Sequence, residues 1–183
     1  LADSASRLVV VCPVNRGAGG TDFIERLHRS GQPWDLQALE VPMGSEDAGS
    51  KIATAITNGA AFGTVDVIVL CRGGGSPAEL APFDTEDLAR AIVESPIPVV
   101  VAVGHHHDQH VADLVAFRSC ATPTAAAEWF IQRRDSQIRL AREAATRIRA
   151  LEAERASQQA TQLTATARRA TRIAIAVIVI AVV

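Results

Sequence analysis

Three stretches of strand length, Leu8–Cys12, Val65–Cys71 and Ile97–Val103, each run into a loop of unusual glycine or polar composition. This pattern constrains the fold more than any other feature of the chain. A strand that is apolar at nearly every position has both faces buried, the condition of a parallel sheet covered by helices on both sides. Helical spacing fills the intervals. Thr21 is placed to cap a helix through Phe23, Ile24 and Leu27, and Ile52, Ala55 and Ile56 share a face over 47–58, where Asn58-Gly59 ends the helix. Asp84 is placed to cap another through Leu88, Ala91 and Ile92, and Leu36–Val41 is a weaker strand. Strands alternating with helices predict right-handed crossovers and an α/β fold over residues 1–122, a doubly wound, mostly parallel sheet of Rossmann or flavodoxin-like kind.

After Pro123 the pattern changes. From Thr124 to about Thr171 there is neither Gly nor Pro, and Ala, Arg, Gln and Glu dominate, which predicts one long helix following the sheet domain and occupying 123–172. Heptads begin with Ile138, Ala141, Ala145 and Ile148 and decay into Glu152, Arg155 and Gln159. The expectation is a coiled coil or a partner-packed helix with an ill-defined seam, joined to a helical partner or to a second copy through 124–171. Charge follows the same division. Residues 1–117 hold seven basic and fifteen acidic groups, a balance of −8, whereas 118–183 hold eleven Arg against five acids, a balance of +6. A solvated helix face and a polyanion-facing surface both accommodate that basic tail.

The final segment, 173–183, has no polar side chain. As a helix its eleven residues would extend about 16 Å, short of the roughly 30 Å hydrocarbon core of a bilayer. With Arg168, Arg169 and Arg172 before it, the stretch reads as the start of a membrane helix that continues past Val183, anchoring a cytoplasmic domain to a membrane; a buried terminal strand is the alternative. The chain has no initiating Met and reads as a piece of a longer protein, with no secretory signal ahead of the first apolar run.

Apolar residues make up 48% of the chain, which excludes a disordered chain. Aromatics make up 4%, so a nucleic-acid surface would lean on Arg and backbone groups more than on base stacking. Cys12, Cys71 and Cys120 are odd in number and widely spaced, which fits neither a disulfide framework nor a zinc pattern and suits a reducing compartment.

In doubly wound sheets the ligand crevice lies beyond the carboxyl ends of the strands, where all three unusual loops fall. Arg72-Gly73-Gly74-Gly75-Ser76 offers a cation, backbone amides that can approach an anion closely, and a hydroxyl. It is not a Walker A loop, because no Lys-Ser or Lys-Thr follows the glycines. His105, His106, His107 and His110 cluster around Asp108. A His–Asp pair that moves protons fits this run, and so does a transition-metal site, although adjacent side chains in a loop cannot all converge on one ion. Asp22 follows the first Gly-rich loop, Asn15 to Gly20. It either favours the positive end of the helix or orients a base in the crevice.

Several runs together resemble the exonuclease VII large subunit. They are Val69-Leu70-Cys71-Arg72-Gly73-Gly74-Gly75-Ser76 with Leu80, Phe83 and Ala89-Arg90-Ala91-Ile92. With them go Ile97-Pro98-Val99, Ala102-Val103-Gly104-His105, Asp108, Ala112-Asp113, Thr122-Pro123 and Ala125-Ala126-Ala127-Glu128. The resemblance covers roughly 7–130. It implies a cytoplasmic nuclease that hydrolyses single-stranded DNA without a required metal or cofactor, and a small-subunit partner for the long helix. It places the family's important residues on Asp22, Arg72, His105 and Asp108, with Arg72, Gly73, Gly74, Gly75 and Ser76 holding phosphate. His106-His107 replace the family's Glu-Thr, Phe117 and Ser119 stand where an Asp and an Arg are usual, and the amino-terminal OB-fold has no counterpart in the chain. A non-hydrolytic nucleic-acid or nucleotide sensor, tethered through its helix, and a metal-dependent hydrolase built on the histidines are the competing expectations.

Overall fold

The computed structural model describes residues 5–104 and 109–182, with side-chain surroundings through Ile175. Strands β1 (Arg7–Pro13), β2 (Asp35–Val41), β3 (Val67–Arg72), β4 (Val99–Val103) and β5 (Arg118–Ser119) form one sheet in the order β2-β1-β3-β4-β5. Every pairing among them is parallel. This is the flavodoxin-like arrangement of the doubly wound fold, with its topological switch between β1 and β3. Helices α1 (Gly17–Arg29), α2 (Ala48–Ala60), α3 (Pro77–Leu80), α4 (Glu86–Glu94), α5 (Val111–Val115) and α6 (Pro123–Val182) complete the order.

The continuous apolar strands are explained by two cores, one on each face. Side chains alternate across a strand, so Val9, Val11, Ile68, Leu70 and Val101 pack with Ile52, Ile56 and Leu88 of α2 and α4. Leu8, Val10, Val69 and Ala102 face the other way, onto Phe23 and Leu27 of α1 and Ala126, Ala127 and Phe130 of α6. Phe130 sits edge-on to Phe23, Trp34 and Trp129 at 6.0, 6.3 and 4.8 Å, and Arg26 of α1 pairs with Glu128. The first turns of α6 therefore belong to the globular domain.

Three local expectations are corrected. Helix α1 begins at Gly17, not after a Thr21 cap, because the glycines themselves wind into its first turn. Gly59 lies inside α2 rather than at its end. Its missing side chain lets the helix approach the sheet, since a Cβ there would stand 3.1 Å from Val9 Cγ1. Thr85, not Asp84, stands at the N-cap position of helix α4, without a side-chain capping bond, and Asp84 is drawn instead to His110, 3.0 Å away.

The compact unit runs through Gln137, and Ile138–Val183 form a second unit. The second unit is helical through Val182, and its side chains are exposed from Ile138 through Ile175, Ile148, Leu151 and Leu163 among them. Among the described residues no helix is long and apolar enough to cross a membrane.

At the amino end of β1, Asp66 accepts from Ser6 N, Arg7 N and Arg7 Nη2 at 2.9, 3.0 and 2.7 Å. The Arg7 bond and the two amides hold its carboxyl well below the usual carboxylate range despite partial burial. A depressed carboxyl contributes stability above its unfolded value of about 4 and loses it as pH falls through the folded value. Asp66→Asn is expected to cost about 1–2 kcal/mol at neutral pH. The gap from wild type should narrow on acidification, as read by urea midpoints at about pH 7 and about pH 3.

Candidate functional site at the carboxyl ends of β1, β3 and β4

The β1–α1 connection is strained. Asn15 and Arg16 both adopt left-handed backbone conformations, at φ 57° and 64°, and Gly17 follows at φ 56°. Left-handed backbone costs an ordinary residue about 1–2 kcal/mol, so something must hold it. Glu40 at the end of β2 accepts from Asn15 N at 2.8 Å. The sharp turn drives the first turn of α1 into the switch point. A Cβ on Gly19 would stand 2.5 Å from Gly73 N, 2.9 Å from Arg72 C and 2.9 Å from Pro123 Cγ. Three chain segments therefore meet here, the start of α1, the loop after β3 and the start of α6, and only a glycine fits between them.

Arg72 ends β3 with 12% of its side chain exposed. Its Nη1 donates to the Met43 carbonyl at 3.4 Å and its Nη2 to Glu79 Oε1 at 3.3 Å, both long bonds. Its Nε is buried and has no acceptor among the described residues. The guanidinium is thus incompletely satisfied, which leaves donor capacity for an anion. Gly73 is half-buried, and Gly74 and Gly75 are exposed. The Ser76 hydroxyl donates to Glu79 Oε2 at 2.9 Å and its amide to the same oxygen at 2.8 Å. Those two bonds, with Arg72 beside them, hold the Glu79 carboxyl below its ordinary value. Glu79 was not singled out in the sequence, although Ser76-Pro77-Ala78-Glu79 carries the spacing of a capping box.

Asp22 lies in the second turn of α1, three residues beyond Gly19, and is exposed. It makes no hydrogen bond or ion pair among the described residues. His105, His106, His107 and Asp108 lie outside the described residues. The chain leaves β4 at Gly104, with φ 78° and its amide donating to the Arg72 carbonyl at 3.3 Å, so β4 ends beside Arg72. His110 is described and pairs with Asp84, a contact absent from any local pattern. Among the described residues no group of three or more His, Cys, Asp or Glu side chains could hold a metal ion. Burial pushes the Cys12 thiol up to about 11 and the Cys71 thiol well above its ordinary value, so both are packing groups and not nucleophiles.

A family model described as "Exonuclease VII, large subunit" matches residues 2–177. The exodeoxyribonuclease 7 large subunit of Desulforudis audaxviator is 51% identical over 122 residues, 66% of this chain and 29% of that protein. Its counterpart in Syntrophotalea carbinolica is 39% identical over 131 residues, 72% of this chain and 33% of that protein. The counterpart in Moorella thermoacetica is 43% identical over 112 residues, 61% of this chain and 28% of that protein. The matched segment thus spans no more than about a third of these relatives' length. With the family model matching nearly the whole chain, the protein belongs to the exonuclease VII large subunit family.

Proposed function

We propose that this chain is a phosphodiesterase domain that hydrolyses single-stranded DNA. The observation that carries the reading is the junction of Gly19, Arg72-Gly73 and Pro123 at the switch point, with Arg72 Nε lacking an acceptor among the described residues. A scissile phosphate held there by Arg72 and the amides of Gly73, Gly74 and Gly75 would have its developing charge stabilised by donors fixed before the reaction begins. Water attacks phosphorus, the bond to the leaving sugar oxygen breaks, and that oxygen takes up a proton. His105 is the group proposed to move the proton, with Asp22 or Asp108 orienting it. Ser76 acts through Glu79, to which its hydroxyl is already bonded.

The exposed apolar side chains of the second unit suit a helical partner, either a small-subunit-like protein or another copy of the chain. The partner and the DNA substrate are both inferred from the family, as is a cytoplasmic setting. A membrane attachment through 173–183 would need apolar chain beyond Val183.

The test is degradation of end-labelled oligodeoxythymidylate by the full chain in excess EDTA. Expected is steady release of short products that chelation does not stop. Activity that returns only with added manganese or zinc would replace this reading with a metal site on the histidines, and binding without turnover would replace it with a sensing module.

A further inference from the structure

The carboxylate of Glu79 reaches both ends of the triple-glycine loop. Its Oε1 accepts from Arg72 Nη2 at 3.3 Å, and its Oε2 accepts from the Ser76 amide at 2.8 Å and the Ser76 hydroxyl at 2.9 Å. The Arg72–Glu79 pair lies directly against the loop. A Cβ on Gly75 would stand 3.1 Å from Glu79 Oε2 and 3.2 Å from Arg72 Nη2. Arg72 is the inner partner, 12% exposed, and Glu79 the outer, 54% exposed. The bonds from Ser76, and after them the charge and bond of Arg72, hold the Glu79 carboxyl below its ordinary value, so it is ionised at neutral pH.

A phosphate site built on a cation gains no affinity from a carboxylate, because a like charge beside the anion weakens binding. The turn at Ser76 does not require the charge either, since Gln completes a capping box as well as Glu does. What the negative charge adds is selection. The charges of Arg72 and Glu79 cancel, so an anion at the loop meets fixed donors with little net positive field behind them. A second negative charge on the ligand then gains little attraction, yet it is harder to strip of water. A phosphodiester carries a single charge, whereas a terminal monoester is largely dianionic at neutral pH, its second pKa being about 6.

We propose that Glu79 is a specificity-determining residue, whose charge against Arg72 fits the loop to monoanionic phosphodiesters and turns away dianionic terminal phosphates. The proposal rests on the phosphodiesterase reading and gives the Arg72 anchor its class of phosphate. Hydrolysis of a diester by water leaves one product ending in a monoester and the other in a hydroxyl. Beside a neutral pair the monoester product is held no better than the diester it came from, so the site clears after each cut.

The experiment measures dissociation constants of dimethyl phosphate and methyl phosphate by NMR titration at about pH 8 and fixed ionic strength, where the first is a monoanion and the second a dianion. The proteins are the full chain, Glu79→Gln and, as the control for the site, Arg72→Ala. Wild type is expected to bind dimethyl phosphate at least as tightly as methyl phosphate. In Glu79→Gln, methyl phosphate should tighten by about 10-fold and dimethyl phosphate by about threefold, because attraction to the unmasked guanidinium scales with the charge of the ligand. Arg72→Ala should weaken both by about 10-fold or more, through loss of the charge-assisted bonds. Should Glu79→Gln fail to fold, wild type alone gives the reading. Lowering the pH from about 8 to about 5 removes the second charge of methyl phosphate and leaves dimethyl phosphate unchanged. Methyl phosphate should then tighten relative to dimethyl phosphate by about threefold, whereas an uncompensated cation would loosen it.

Equal tightening of the two probes in Glu79→Gln, or none, would overturn the proposal. So would a wild-type chain that prefers methyl phosphate at the higher pH. Those results would leave the phosphodiesterase reading in place. A wild-type chain that binds neither probe, or binding that Arg72→Ala leaves intact, would instead remove the phosphate anchor, and both readings with it.

Discussion

Arg72→Ala is expected to lower kcat on single-stranded DNA by about 100- to 1,000-fold, the loss seen when one fixed donor is removed from a developing oxyanion. The side chain is 12% exposed and its bonds to Met43 and Glu79 are long, so its removal should cost less stability than activity. The melting temperature should therefore fall by only a few degrees, about 1 kcal/mol, while turnover collapses. Arg72→Lys should rescue little. An ammonium is a point charge without a planar fork and cannot span the Met43 carbonyl, Glu79 and a phosphate together. Steady-state kinetics beside thermal melts of both variants give the answer. If Arg72→Ala turned over like wild type, the phosphate would have to be held elsewhere.

Gly19→Ala should damage both stability and activity, because its Cβ would be driven to 2.5 Å from Gly73 N and 2.9 Å from Arg72 C. Both atoms are backbone and cannot rotate away, so α1 or the loop after β3 must move. Overpacking of this kind costs about 1–3 kcal/mol even where side chains can adjust, and a backbone clash belongs at the upper end or beyond. The same displacement shifts Arg72, so kcat should fall together with the unfolding midpoint. Gly44→Ala is the matched control. Nothing lies within 4 Å of its Cβ position and its φ is not left-handed, so it should leave both quantities near wild type. A Gly19→Ala protein with wild-type midpoint and rate would mean that the switch point is looser than these distances describe.

How much of this was legible beforehand depended on the range of the interaction. Strands β1, β3 and β4 could be read directly, since burial on both faces leaves no polar alternation in the sequence. β2 was fainter because it is an edge strand with exposed Asp35, Gln37 and Glu40. β5, two exposed residues, carries no pattern of its own and exists only through its pairing with β4. The start of α1 was misplaced because Gly17–Gly20 reads as a loop by propensity, whereas packing against Gly73 and Cys12 makes it the one helical turn small enough to enter the switch point.

By itself the sequence determined the class of fold, the carboxyl-end location of the unusual loops and the family resemblance, because apolar period and motif spacing are written along the chain. Tertiary structure alone decided the strand order β2-β1-β3-β4-β5 and the side-chain bonds of Arg72 to Met43 and Glu79. It also decided the conversion of Asp84 from an expected helix cap into the partner of His110. Arg72 and Met43 lie 29 residues apart, and Asp84 and His110 lie 26 apart. A cap or an amphipathic stripe is satisfied by neighbours three or four positions away and leaves its mark on the local sequence. Contacts across such separations leave no mark on spacing, because they form only after the parallel crossovers have brought the strand ends together.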